Sequence, residues 1–284
     1  MRRFPFRAKV LEDQPSQGWH KMMGEKDLLW YHLQELPYFR SLLRAVEARF
    51  YHDHNLTSPV LDVGCGDGHF ARAAFDRQLD AGIDPESSSL RQANRYKSYK
   101  ILVQAFGNQM PFPDAYFGSV VSNSVLEHIP DVEAVLDEVA RVTKPGGLFL
   151  FCVPNDRFLD SLSIGRVLDR IKLRSLGKAY RSFFNRISRH QNCDPPEIWQ
   201  TRLNQAGFEL EQWWHYFPPE ALHILEWGHY FGLPSLVSHR LTGRWILAPH
   251  AWNLALTRRL VQPYFDADPV GARGVYSFFI ARRN

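Results

Sequence analysis

The sequence predicts an α/β fold: a parallel sheet covered by helices on both faces. Three observations predict it. Between residues 59 and 153, short apolar runs of strand length alternate with segments of helical period. A glycine-rich turn, Gly64-Cys65-Gly66-Asp67-Gly68, joins the first of these runs to a helix. The composition of the 284 residues, 45% apolar and 23% charged, supplies one large core.

In chain order, the first 55 residues hold two helical patterns. One surrounds Leu28 to Leu36, and the other carries Phe39, Leu42, Leu43, Val46 and Phe50 at helical spacing. Strands are then predicted over 59–63, 81–84, 101–105 and 117–122, with helices starting at His69 and Glu86 between them. A helix over 131–143 puts Val132, Val135, Leu136, Val139 and Val142 on one face. Pro145-Gly146-Gly147 turns the chain into a strand over 148–153. Beyond it the rhythm breaks. Residues 157–190 hold nine Lys/Arg and two Asp, a net charge of +7. A helix over 195–206 ends at Gly207, and 208–214 reads as a strand. Residues 211–270 contain 11 aromatics, among them five of the eight tryptophans, and an apolar strand over 274–281 closes the chain.

Several classes are excluded by composition. So much apolar surface would collapse, so disorder is not the theme. Apolar runs fall far short of the ~20 residues a membrane helix needs. The basic start, Met1 to Arg7, lacks the apolar stretch of a signal peptide. Cys65, Cys152 and Cys193 are odd in number and widely spaced, which fits the reducing cytoplasm rather than a disulfide framework. The net charge of +4 is too small to argue for nucleic acid, and none is expected as partner. His215, His223, His229, His239 and His250 never fall three or four apart, and His52-Asp53-His54 reads as a solvated loop, so no metal is expected.

The glycine turn decides the ligand. Glycines let the backbone approach a bound molecule, and in open α/β sheets ligands sit beyond the carboxyl ends of strands. His69 stands where the dinucleotide fingerprint needs its third glycine, so that fingerprint fails. Asp62 and Asp67 flank the turn and would repel a pyrophosphate, whereas an ammonium group suits them. Asp84 ends the next strand, twenty residues after Gly64, where a carboxylate can accept from both ribose hydroxyls. An amino-acid end and a nucleoside end together describe S-adenosylmethionine.

With its ordered motifs, the chain resembles the class I S-adenosylmethionine-dependent methyltransferases of the small-molecule and quinone-biosynthesis type. Besides the glycine turn, 110–117 (Met-Pro-Phe-Pro-Asp-Ala-Tyr-Phe), 122–131 (Ser-Asn-Ser-Val-Leu-Glu-His-Ile-Pro-Asp) and 141–147 (Arg-Val-Thr-Lys-Pro-Gly-Gly) carry the likeness, over about residues 59–153. The resemblance implies a Rossmann-like, seven-stranded, mostly parallel sheet whose last strand is antiparallel. Helical additions would then lie at the N-terminus, after strand 5 and between strands 6 and 7. The expected organisation is a helical cap over 1–55 and a methyltransferase domain over 56–284. Its core is 56–154 and 195–214 with 272–284, and the inserts 155–194 and 215–271 form a substrate lid. Asp62, Gly64, Cys65, Gly66 and Gly68 would hold the methionine end, and Asp84 and Pro85 the ribose. Phe106 stands where the family carries an acidic residue toward adenine. Phe106, Gly107 and Asn108 are therefore expected to shield the base and meet it through backbone groups, and Ser122 completes the cofactor set. Cys65 is also read as a small packing residue.

The chemistry implied is methyl transfer to a small or lipid-linked acceptor, most simply at oxygen; the alternative is a non-catalytic S-adenosylmethionine-binding module or assembly partner. An oxygen acceptor needs a base, and His128, just after the fourth strand, is the candidate. The other reading has His128 capping the helix at Asp131 or packing on the sheet. Glu127 either orients His128, meets a substrate cation, or lies on the surface. No Asn/Asp-Pro-Pro-aromatic tetrad follows the fourth strand, which argues against planar amines as acceptors. In the basic insert Ile164, Val167, Leu168 and Ile171 form an apolar stripe among Arg166, Arg170, Lys172 and Arg174. Together with Trp213, Trp214, Tyr216, Trp227, Tyr230, Trp245 and Trp252, it suggests peripheral contact with the inner membrane surface; ordinary packing of added helices is the other reading.

Overall fold

A computed structural model describes residues 9–10, 26–52 and 54–284. The signal-peptide reading of the first residues, the start of the expected cap and Asp53 of the histidine loop lie outside the described residues.

The seven expected strands form the sheet: β2 (Val60–Val63), β3 (Leu79–Asp84), β4 (Tyr99–Gln104), β5 (Phe117–Asn123), β6 (Thr143–Pro154), β7 (Phe208–Tyr216) and β8 (Tyr276–Arg283). A two-residue strand, β1 (Lys9–Val10), adds an eighth at the edge, parallel to β7. The order is β1-β7-β8-β6-β5-β2-β3-β4. β8 alone is antiparallel, inserted between β6 and β7. The chain runs outward from β2 through β3 to β4, then crosses back to β5 on the other side of β2. That reversal leaves a crevice beyond the carboxyl ends of β2 and β5, where α/β sheets bind ligands.

Each face of the sheet buries its own core. On one side α5 (Val132–Val142) and α8 (Pro196–Gln205) cover β5, β6 and β8. Phe151 stacks on Phe279 with centroids 4.8 Å apart, and Trp199 lies 5.2 Å from Phe151. Burying each such ring stabilises the layer by roughly 1.5–3 kcal/mol. On the other side lie α1 (Leu28–Leu33), α2 (Tyr38–His52), α3 (His69–Ala74), α9 (Pro219–Phe231) and α11 (Ala251–Asp266). Phe50 of α2 packs against Trp214, Tyr216 and Phe278, so the N-terminal helices are built into this layer.

The two inserts lock together. α6 (Ser163–Arg170) and α7 (Arg174–Ser188) fill the first, and α9, α10 (Leu233–Thr242) and α11 the second. Glu226 of α9 is buried and accepts from the Ser163 and Ile164 amides at the start of α6, at 2.6 and 3.1 Å, and from Tyr180 Oη of α7 at 2.6 Å. A carboxylate at a helix N-terminus satisfies amides that have no partner inside the helix. The tryptophans divide by element. Trp214 and Tyr216 point into the core from β7, while Trp227 and Trp252 lie on exposed helix faces. The apolar stripe of α6 is likewise open, with Val167 and Ile171 more than half exposed. Among the described residues no helix is long and apolar enough to cross a membrane.

Candidate active site

The glycine turn hangs from the end of β3. Gly64 N–H and Cys65 N–H both donate to the Ile83 carbonyl at 2.9 Å, and Gly66 N–H donates to Asp84 Oδ2 at 3.0 Å. Gly64 has φ +78°, and a Cβ there would come within 2.5 Å of Val125, so only glycine fits. Gly68, at φ +75°, starts α3 and packs against Ala93 of α4 (Ser87–Tyr96), which lets the two helices approach.

Above the turn is a cleft of about 780 Å³. Asp62, Gly64, Cys65, Gly66 and Asp67 line one side of it, and Asn123 at the end of β5 and Ser124 and Val125 after it line another. Asp62 is buried and accepts from Tyr99 Oη at 2.7 Å. Burial pushes its carboxyl up to about 7; the Tyr99 bond opposes that shift and the Asp84 charge adds to it. Asp84 stands at the back of the loop. Its Oδ1 accepts from Glu86 N–H at 2.8 Å and its Oδ2 from Gly66, which leaves two of its four acceptor positions for another donor. Cys65 is buried, and burial raises its thiol, in keeping with a packing residue rather than a nucleophile.

Some expected positions stand behind the cleft. Gly68, Asp84, Pro85, Phe106, Gly107, Asn108 and Ser122 are not on its wall. Phe106 is two-thirds exposed beyond β4, and Gly107 abuts Val135 and Val63. Ser122 lies deepest of these. It is fully buried, and its hydroxyl donates to the Val63 carbonyl at 2.9 Å. Side chains alternate along a strand, so Ser122 ties β5 to β2 while the residues after it reach the cleft.

Four residues, Arg40, Arg44, Ser124 and Trp245, also line a second cavity of about 310 Å³. Its walls are largely apolar, with Phe39, Leu43, Phe158, Leu225 and Leu236, and Glu127, His128 and His190 form a polar corner. Arg44 is fixed by Glu47 at 2.7 Å, and Glu47 in turn accepts from Asn123, Ser124 and Tyr216. Arg40 lies over the Trp245 ring at 5.5 Å, and Trp245 stacks on His239 at 4.1 Å. α2 and the segment after α10 thus meet across both cavities.

The polar corner removes two alternatives. His128 does not cap α5; Asp131 does so itself, accepting from Ala134 N–H at 3.3 Å. His128 Nδ1–H instead donates to the Arg189 carbonyl at 3.2 Å, which leaves the Nε2 lone pair free, 3.8 Å from Glu127 Oε1. Glu127 is not a surface residue. It is 2% exposed, and burial raises its carboxyl to about 8. His190 faces His128 with ring centroids 5.4 Å apart, and burial pushes it down to about 3, aided by His128 and His229. Sequence reading did not find His190, Arg40, Arg44 or Glu47. The i,i+4 spacing of Arg40 and Arg44 was the one available signal.

Residues 61–151 match the family model of the methyltransferase domain. An uncharacterized methyltransferase of Mycobacterium sp. (strain JLS) is 37% identical over 90 residues, 31% of this chain and 36% of that protein. The sterol 24-C-methyltransferase of Aspergillus fumigatus is 33% identical over 129 residues, 40% of this chain and 32% of that protein. The chain thus spans about a third of the length of the curated relatives it matches. Among solved structures, a Thermotoga maritima S-adenosylmethionine-dependent methyltransferase, described as a possible histamine N-methyltransferase, superposes with a TM-score of 0.53 at 14% identity, covering 90% of this chain and 100% of that one. Geranyl diphosphate C-methyltransferase from Streptomyces coelicolor A3(2) gives 0.51 at 15% identity, covering 87% and 82%.

Proposed function

We propose that this chain, which has the fold and the core domain of the class I S-adenosylmethionine-dependent methyltransferases, methylates a hydroxyl of a small or lipid-linked acceptor. The observation that carries this reading is the shared wall. A cleft lined by the acid-flanked glycine turn adjoins, through Arg40, Arg44, Ser124 and Trp245, a mostly apolar cavity with His128 in its corner. A binding module without turnover has no need of that second cavity.

The residues present suit the cofactor. Asp62, Gly64, Cys65, Gly66 and Asp67 offer carboxylates and bare backbone to its amino-acid end, with Gly68 shaping the turn. Asp84, with two acceptor positions left, and Pro85 would hold the ribose, and Phe106, Gly107 and Asn108, which lie outside the cleft wall, would flank the adenine. When bound, the cofactor supplies a methyl group already activated on a sulfonium sulfur. The protein's part is to align the acceptor, an effect that can contribute roughly 7–11 kcal/mol. The acceptor's hydroxyl proton would be taken at the corner of Glu127, His128 and His190, where His128 Nε2 has its lone pair free.

The lid formed by 155–194 and 215–271 would meet the acceptor where it resides. Leu233 and Leu236 of α10 and Ile187 of α7 line the apolar cavity and are also exposed. Leu241, Trp252 and Leu256, on the same insert, are also exposed, with Arg240 and Arg259 close in sequence. This supports peripheral contact with an anionic membrane and a lipophilic acceptor. The names of the sterol and geranyl diphosphate enzymes are in keeping with such acceptors.

The experiment is turnover with methyl-labelled S-adenosylmethionine in an extract divided into lipid, small-molecule, RNA and protein fractions. Label is expected in the lipid or small-molecule fraction as an alkali-stable ether. Label in RNA or protein, or none with cofactor bound, overturns the reading.

A further inference from the structure

We propose that Glu127, His128 and His190 form a binding site for one divalent first-row transition ion of the Zn²⁺ class, set in the wall of the acceptor cavity. One ligand atom from each of the three side chains lies within 4.8 Å of those of the other two. A carboxylate with two imidazoles is the donor set of metal sites that use three protein ligands and keep a position open. Here the open position faces the cavity, since all three residues line it.

Orphaned atoms point to the same ligand. Glu127 is 2% exposed and its Oε2 has no partner. His190 Nδ1 is likewise buried without one. A buried polar atom left unsatisfied costs about 1–3 kcal/mol, and two together in one corner call for a shared partner. A cation held by the Glu127 carboxylate and the His190 ring would give this corner that partner. His128 is oriented toward the same ion. Its Nδ1–H is spent on the Arg189 carbonyl, so Nε2 presents its lone pair toward Glu127. A second hydrogen bond of this kind fixes the ring of a ligating histidine.

The corner is held rigidly although it joins residues sixty apart. Gln191 N–H and Asn192 N–H donate to the Glu127 carbonyl at 2.6 and 3.2 Å. Asn192 Nδ2 donates to the Leu126 and Ile129 carbonyls at 3.1 and 2.7 Å. These bonds clamp the turn that carries Glu127 and His128 onto the segment that carries His190. Charged groups face the corner from α2 and from the end of α7, and His229 of α9 faces His190. Arg44 is offset by its 2.7 Å contact with Glu47, while Arg40 and Arg189 add positive charge near His128.

The chemical use of the ion rests on the proposed methyl transfer; the binding does not. In the ion-free chain the hydroxyl proton passes to His128 Nε2. With an ion on the three side chains, the acceptor oxygen takes the open position and its proton is released to solvent as coordination lowers its pKa.

The test is binding to the full chain stripped of metal. Calorimetry with ZnCl₂ and visible absorption with CoCl₂ should show one site per chain, with Co²⁺-shifted resonances from two imidazoles in the unaltered protein. His190→Ala and Glu127→Gln should each weaken Zn²⁺ at least tenfold while S-adenosylhomocysteine binding persists; His250→Ala and Cys193→Ser should not. Zn²⁺ affinity unchanged in both corner variants, or fewer than two shifted imidazoles, overturns the proposal. Should a corner variant fail to fold, the resonance count decides. Failure to bind Zn²⁺ leaves labelled methyl transfer untouched, and absence of methyl transfer leaves the binding result standing.

Discussion

The two cavities are built in opposite ways. The larger is lined by consecutive residues, 62 to 67, whose backbone hangs from the next strand through Ile83 and Asp84. The smaller is assembled from α2, the turn after β5, the end of α7, α9 and α10, elements spread over some two hundred residues. A site made of adjacent backbone is fixed by local geometry and tolerates few residue types. One made of distant side chains can change its contents without disturbing the sheet. That contrast accounts for a glycine-turn cleft with a readable signature and a second cavity without one.

If the contrast is right, damage to each half should be separable. The largest effect is expected at His128. His128→Ala should lower turnover by about 10²–10⁴-fold, with S-adenosylhomocysteine affinity within about twofold of the original by calorimetry; a parallel fall in both would merge the two halves.

On the cofactor side, Gly64→Ala should cost more than Gly66→Ala. Both have positive φ, worth about 1–2 kcal/mol for any side chain, but only Gly64 also meets Val125. Chemical denaturation and cofactor titration of the two variants check the order. Asp84→Ala should weaken the cofactor by more than about 1 kcal/mol, since it strips hydrogen bonds to a charged acceptor, and it should also loosen the turn at Gly66.

Asp62 sharpens the comparison through pH. Its carboxyl is raised to about 7 in the fold, so the stability it contributes is complete at low pH and is lost as pH rises through 7. The ligand-free chain should therefore melt lower at pH 8 than at pH 5, and Asp62→Asn should flatten that slope. Affinity for the cofactor's ammonium should run the other way, rising by up to about tenfold per pH unit until 7. Parallel slopes for stability and affinity would remove Asp62 from the amino-acid end. The smallest effect is expected at the lid. Trp252→Asp should reduce flotation with anionic vesicles severalfold and leave turnover on a dispersed acceptor nearly unchanged.

How far the sequence could be read follows from the range of the forces involved. The strands over 60–63, 79–84 and 117–123 were legible because a buried parallel strand must be apolar on both faces. Glu86 and Asp131 start their helices as caps, close to where helical period and residue type placed those starts. Gly64 was legible because its turn excludes a Cβ. The burial of Ser122 was not legible, because a one-residue step along a strand reverses the direction of the side chain and no local signal says which face meets the ligand. The aromatic block read as one feature and proved to be two, a core strand and exposed helices, since the period changes at Phe217.

By itself, the sequence determined the alternating strands and helices and the acid-flanked turn. Each depends on neighbours in the chain, where covalent geometry and period already constrain the outcome. Tertiary structure alone decided that Glu127 is buried, that His190 faces His128, and that Arg40 and Trp245 meet across the cleft. Those contacts join residues 60 to 200 positions apart, and the packing that selects them is a property of the whole core rather than of any segment.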